Sequence, residues 1–324
     1  MILAGDLGGT TTRLGLFDES TPRPRAIVTR EYVTLDHISL AAIVARFLHD
    51  TATPVDDVHA TCIGVAGPVT DGEAILTNVP WRITARELRE VDGLAHASII
   101  NDVEAIAWAV PVLTGEEVVS LRAGDEAAGG NIAIVAVGTG LGAALLHDVN
   151  GTLLPSPSET GHSDYPVRTD REIELFLYLR AKHGRVDIER VVSGIGLTQV
   201  SHFTHGGRCR HLPNGADESG IPAHVVSQAL DEACPECVET LDLVVDGLAA
   251  VAGNLALINV ATRGVYIGGG IPPRIVDRLR RPEFLRVFGA KKPMAGFLDQ
   301  VPVRVIMNPH AGLVGAAVCA LRDR

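Results

Sequence analysis

The chain has 324 residues, 46% of them hydrophobic and 21% charged. It is long enough to bury a large core in one or two domains, and its composition excludes wholesale disorder. The net charge of -11 argues against nucleic acid or an anionic membrane as main partner, since both need clustered Lys and Arg, and five cysteines are too few and too odd in number for a disulfide framework.

The opening MILAGDLGG has no basic n-region and its apolar run stops at Gly5, so no secretory leader is expected. Aliphatic runs at 1–4, 13–17, 61–66, 98–100, 132–137, 141–146, 264–267 and 303–307 read as strands. Helical patterns fall at 39–49, 84–91, 104–110, 171–182, 222–232, 235–258 and 311–321. This alternation predicts an α/β fold. Segments 114–130 and 201–221, rich in Gly, Asp, Glu and His, predict exposed loops. The apolar stretch LAAVAGNLALINVA at 248–261 is broken by Gly and Asn and predicts a buried helix rather than a membrane span, which goes with a soluble, cytoplasmic protein.

Two stretches share a plan. GDLGGTTTRLGLFD at 5–18 and AVGTGLGAALLHD at 136–148 each run aliphatic strand, Gly/Thr turn, aliphatic strand, Asp. Such turns expose successive N–H groups as an anion cradle. The first is neither a Walker A loop, lacking Gly-Lys-Ser/Thr, nor a dinucleotide fingerprint, since a strand and not a helix follows it. What remains is a phosphate-holding hairpin with Asp6 placed as an oxygen ligand for Mg²⁺ on those phosphates. Two unrelated hairpins would look the same, because Gly is common in such turns. A third cluster, IGGGIPPRI at 267–275, follows a strand and suits either a purine or ribose contact or a tight strand-to-helix turn.

The phosphate hairpins, IIND, ETGH, ERVVSG and IGGGI occur in an order that resembles the bacterial glucokinases of the hexokinase/actin/Hsp70 superfamily, over essentially the whole chain. The resemblance implies two ribonuclease H-like (actin-like ATPase) domains flanking a deep cleft, a small one at 1–110 plus 308–324 and a large one at 111–307. It further implies ATP and Mg²⁺ as cofactors, phosphoryl transfer to the 6-hydroxyl of glucose, and a homodimer. Another hexose, such as mannose or an N-acetyl sugar, or polyphosphate as donor, is the alternative within the same chemistry.

By the same resemblance, Asp102 is the general base, and Asn78, Asn101, Asp102, Glu159, His162 and Glu189 bind the sugar. Asp6, Gly8, Gly9, Thr10, Thr11, Gly138, Thr139, Gly140, Gly268, Gly269 and Gly270 hold the nucleotide, with Mg²⁺ at Asp6, directly or through water. The residues alone leave Asp102 a second role, as cap of the helix at 104–110. Glu159 and His162 have Glu-x-x-His spacing, but Pro155, Pro157 and Gly161 oppose the helix a metal pair would need. Cys234-Pro-Glu-Cys237 has no second pair and reads as a helix start, and HGGRCRHL at 205–212 fits no metal template and reads as a basic surface loop. A strand starting at residue 2 leaves no room for a helix-turn-helix, which disfavours a DNA-binding sugar sensor.

Overall fold

The computed structural model describes every residue except 77, 78, 92, 95, 125–128, 214–216, 323 and 324. It divides into two compact units. Unit 1 comprises Met1–Glu117, Leu153–Pro157 and Asn308–Arg324, and unit 2 comprises Val118–Thr152 and Ser158–Met307.

Unit 1 begins with β1 (Ile2–Leu7), β2 (Thr11–Phe17) and β3 (Ala26–Val33), followed by α1 (Leu40–Asp50) and β4 (Ala60–Val65). A small sheet of β5 (Val69–Thr70), β6 (Glu73–Ile75) and β7 (Arg82–Thr84) precedes α2 (Ala85–Val91). Then come β8 (Ala97–Asn101) and α3 (Asp102–Ala109). The main sheet is ordered β3-β2-β1-β4-β8, with β1 antiparallel to β2 and parallel to β4. Strands β1 and β4 are buried almost throughout, as a central strand covered on both faces must be. One face packs on Ile43, Val44 and Phe47 of α1, whose start is capped by Ser39. On the other lies the last helix of the chain, α11 (Ala311–Arg322), against α3. Gly315 makes that contact possible, because a Cβ there would fall 1.7 Å from the Ala105 carbonyl oxygen.

Unit 2 repeats the plan. Its strands are β9 (Val118–Arg122), β10 (Ile132–Val137), β11 (Leu141–Val149), β13 (Gly264–Gly268) and β14 (Val303–Ile306); the sheet is ordered β12-β11-β10-β13-β14-β9, and its edge strand β12 (Thr152–Ser158) falls for Leu153–Pro157 in unit 1. Again a central strand, β10, is antiparallel to the next strand and parallel to a later one. The orders 3-2-1-4-8 and 12-11-10-13-14 are one topology used twice, so the two glycine hairpins are equivalent elements of a duplicated fold.

The helices of unit 2 are α4 (Asp170–His183), α5 (Gly194–Thr204), α6 (Ile221–Leu230), α7 (Pro235–Ile258), α8 (Val276–Leu279), α9 (Pro282–Gly289) and α10 (Ala295–Leu298). Helix α7 is long and apolar enough to cross a membrane, yet it is the core of this unit, with Leu241, Leu248 and Ala252 fully or almost fully buried.

Three sequence expectations are corrected here. Segment 114–130 contains strand β9, whose alternating short run is masked by acidic and glycine-rich flanks. Segment 201–221 is not one exposed loop: its first residues end α5, and Cys209 within it is buried. The cysteines at the start of α7 are buried beside His205 and Cys209 rather than standing alone.

Candidate active site

In unit 1 the turn Gly8–Thr10 links β1 to β2. Gly8 N–H donates to the Thr11 carbonyl at 3.1 Å, and the Thr34 hydroxyl donates to the Gly8 carbonyl at 2.8 Å. These contacts brace the turn from one side. The N–H groups of Gly9 and Thr10 have no acceptor among the described residues and form the donor edge that an anion needs. Asp6 lies opposite Arg13 in the β1–β2 register, 3.8 Å from its guanidinium. Burial pushes the Asp6 carboxyl above its ordinary range, while Arg13 and His310 pull it partly back.

At the other end of the sheet, β8 runs into α3. Asn101 is the cap: its Oδ1 accepts from Val103 N–H at 2.9 Å and Glu104 N–H at 3.2 Å, and its Nδ2 donates to the Gly67 carbonyl at 3.1 Å. The second Nδ2 hydrogen has no acceptor among the described residues. Asp102 is therefore not the cap. It is the first helical residue, half-buried, with Oδ1 accepting from Val103 N–H at 2.9 Å.

In unit 2 the turn Gly138–Gly140 is the counterpart hairpin. Gly138 N–H donates to the Gly140 carbonyl at 2.9 Å, and the N–H groups of Thr139 and Gly140 have no acceptor among the described residues. The start of α5 holds the turn in place, with Gly194 N–H on the Gly138 carbonyl at 2.8 Å and Ile195 N–H on that of Thr139 at 3.2 Å.

Glu189 joins three segments that looked separate in the sequence. Its Oε2 accepts from Leu141 N–H at 2.8 Å, its N–H donates to the Gly161 carbonyl at 2.9 Å, and its carbonyl accepts from the Ser193 hydroxyl at 2.6 Å. ERVVSG is thus a turn tying the glycine hairpin, the ETGH segment and the cap of α5 together. Glu159 and His162 are exposed in ETGH, which forms a single helical turn, and His162 Nδ1 sits 3.8 Å from Asp187. Asn78 lies outside the described residues.

A cavity of about 790 Å³ opens within unit 2, lined by Gly138, Thr139, Ile195, Thr198, Gly270 and Arg274 among others. Of the unit 2 glycines singled out in the sequence, Gly138 and Gly270 line it, and Gly140, Gly268 and Gly269 do not. Gly268 is buried at the end of β13. Gly269 has φ +91° and would place a Cβ 2.3 Å from the Val137 carbonyl oxygen, so only glycine fits there. It turns the chain so that Gly270 reaches the cavity.

The other wall of the cavity carries none of the residues that the sequence motifs mark. Ile195, Thr198, Gln199 and His202 line the cavity from α5, and Lys182 and His183 line it from α4. The α5 residues fall at i, i+3, i+4 and i+7, one helical face, but the Gly-Ile-Gly start and mixed polarity hid that period. Desolvation and the charges of Arg190 and Lys182 push His183 below its ordinary range, which favours a neutral ring beside the cavity.

Two domains of one duplicated α/β plan, each ending its central strand in an amide-rich turn, define an actin-like phosphotransferase. A family model described as Glucokinase matches residues 3–323. The glucokinase of Nostoc punctiforme is 33% identical over 99% of both chains, and that of Photorhabdus laumondii is 33% identical over 97% of this chain and 95% of its own. A crystal structure of glucokinase from an Antarctic psychrotroph superposes with a TM-score of 0.84 at 31% identity, covering 99% and 98% of the two chains. The chain belongs to the glucokinase family.

Proposed function

We propose that the protein transfers the terminal phosphoryl group of ATP to the 6-hydroxyl of glucose, with Asp102 as general base. The observation that carries the reading is the division of labour at the start of α3. Asn101 makes the capping bonds, and the neighbouring Asp102 carboxylate stands at the first position of the helix, where β8 ends. A sugar alcohol is a poor nucleophile until a positioned acceptor takes its proton, and a fixed carboxylate at a helix start is such an acceptor.

The unit 2 cavity takes the adenosine end of the nucleotide, and its size suits a ligand of that class. The free N–H groups of Thr139 and Gly140 in one hairpin, and of Gly9 and Thr10 in the other, are the proposed phosphate donors. Glu159, His162 and the remaining carboxylate oxygen of Glu189 take sugar hydroxyls. Each such charged hydrogen bond contributes roughly 1.5–3 kcal/mol, and a sugar lacking the matching hydroxyl leaves a group unpaired. Asn101 adds one amide hydrogen.

Mg²⁺ fits beside Asp6, since it needs only one or two carboxylates when substrate phosphates and water complete its shell. Bound there it would neutralise charge on the transferring phosphoryl group. Its charge would also offset the burial that disfavours ionised Asp6. A cytoplasmic homodimer completes the reading, and sedimentation of the purified protein tests the dimer.

The activity is tested by a coupled assay of a hexose panel against ATP, ADP and polyphosphate. Glucose with ATP is expected to give the highest kcat/KM. Preference for another hexose or donor would replace this substrate assignment.

A further inference from the structure

We propose that His205, Cys209, Cys234 and Cys237 form a closed structural zinc site in unit 2, remote in role from the sugar and nucleotide groups. The four come from the end of α5, the loop after it, and the first turn of α7. Their ligand atoms all lie within 4.8 Å of one another. His205 Nε2 is 3.5 Å from Cys234 Sγ and 3.7 Å from Cys237 Sγ. A tetrahedron with Zn–N near 2.0 Å and Zn–S near 2.3 Å has N–S edges of about 3.5 Å and S–S edges of about 3.8 Å. The cluster is already close to that size.

The imidazole is oriented as a ligand would be. Its Nδ1 lies 2.8 Å from the Ser201 carbonyl oxygen, so Nδ1–H donates there and the Nε2 lone pair faces the sulfurs. All three cysteines are buried thiols. Cys234 occupies the N-cap position of α7 without a side-chain capping bond, and Cys237 lies in the first turn.

Buried cysteines by themselves are ordinary core residues. Three that converge on one imidazole nitrogen, with its other nitrogen tied to backbone, are the donor set of a Cys₃His site. Four protein ligands leave no open position, so the role is structural. Binding would release the three thiol protons to solvent and involve no change of oxidation state. Glu236, 3.3 Å from Cys234 Sγ, adds negative charge, and Arg210, 3.8 Å from Glu236, offsets it. His224 Nε2 lies 3.6 Å from Cys209 Sγ and stands beside the set as a neighbour, not a ligand.

The metal would fasten the end of α5 and the following loop to α7. The same stretch carries His202, Glu218, Ser219 and Pro222 to the wall of the unit 2 cavity. The site would thus fix one wall of that cavity without touching its occupant.

The test uses the full-length protein, first analysed for zinc as purified, then stripped under reducing conditions and titrated with Co²⁺ alone. One zinc per chain is expected, with a stoichiometric tetrahedral cobalt spectrum carrying sulfur-to-metal charge transfer that added zinc abolishes. Cys209→Ser should lower the charge-transfer intensity by about one third, His205→Gln should weaken cobalt binding, and His224→Gln should change neither. The wild-type spectrum stands even where a variant fails to fold. Substoichiometric zinc with no thiolate–cobalt absorption would overturn the proposal, as would an unaltered spectrum in Cys209→Ser or loss of binding in His224→Gln alone.

Discussion

The two units use one topology for different ends. In unit 1 the hairpin sits beside a half-buried acid, Asp6, and the sheet ends in Asp102 at a helix start. In unit 2 the equivalent hairpin has no acid at the Asp6 position: Asp6 opposes Arg13 in one register, whereas Ala136 opposes Gly142 in the other. That hairpin is instead fastened by Glu189 and by the start of α5, and it opens onto a cavity. On this reading unit 1 supplies reacting groups and unit 2 supplies binding groups. Substitutions in the first should reduce kcat, and substitutions in the second should raise KM.

The largest effect is expected at Asp102. Removing a general base costs about 10²–10⁴ in rate, so Asp102→Ala should lose that much kcat. Next come Asp6→Asn and Glu159→Ala. Asp6→Asn should cut turnover about 10- to 100-fold, as loss of a group supporting a metal shell does. It should not lower the melting temperature, because burial already disfavours the charge there. Glu159→Ala, in unit 2, should weaken glucose binding about 10- to 100-fold, from roughly 1.5–3 kcal/mol, with kcat less affected. An unchanged glucose affinity would remove Glu159 from the sugar site.

Gly269→Ala should cost about 1–3 kcal/mol of stability and raise the KM for ATP, since alanine cannot hold φ +91° against the Val137 carbonyl. Normal ATP affinity in a folded variant would detach IGGGI from the nucleotide.

The smallest effect lies outside both sites. Glu117 accepts from Arg23 at 2.5 and 2.7 Å, and this pairing brings its carboxyl down to about 2 from 4.5. The stabilisation is present in full above pH 4.5 and is lost as the pH falls toward 2. Glu117→Gln should cost about 1 kcal/mol at neutral pH, a partly exposed pair contributing little more. The deficit should shrink through that acid window, with activity unchanged at neutral pH.

The hairpins were legible in the sequence because Gly and Thr between aliphatic runs allow few backbone solutions. The long helix at 235–258 was legible because apolar residues at helical spacing follow a proline start and continue past Gly253 and Asn254. Asn101 was read as a sugar ligand, and its capping bonds appear only once Gly67 and the first turn of α3 come to it. In the sequence the metal-like cluster is split between two separate segments, a basic stretch at 205–212 and the start of the helix at 235. No local spacing rule joins Cys209 to Cys234; only the packing of α5 and α6 on α7 does. Contacts between residues far apart in the chain leave no periodic mark.

The most direct test of the central claim is a calorimetric titration of glucose into Asp102→Ala, beside its turnover with ATP. The account predicts a glucose Kd within about threefold of wild type and a kcat at least 100-fold lower, the range set by loss of a general base. Substantial turnover, or a loss of glucose binding equal to the loss of rate, would contradict it.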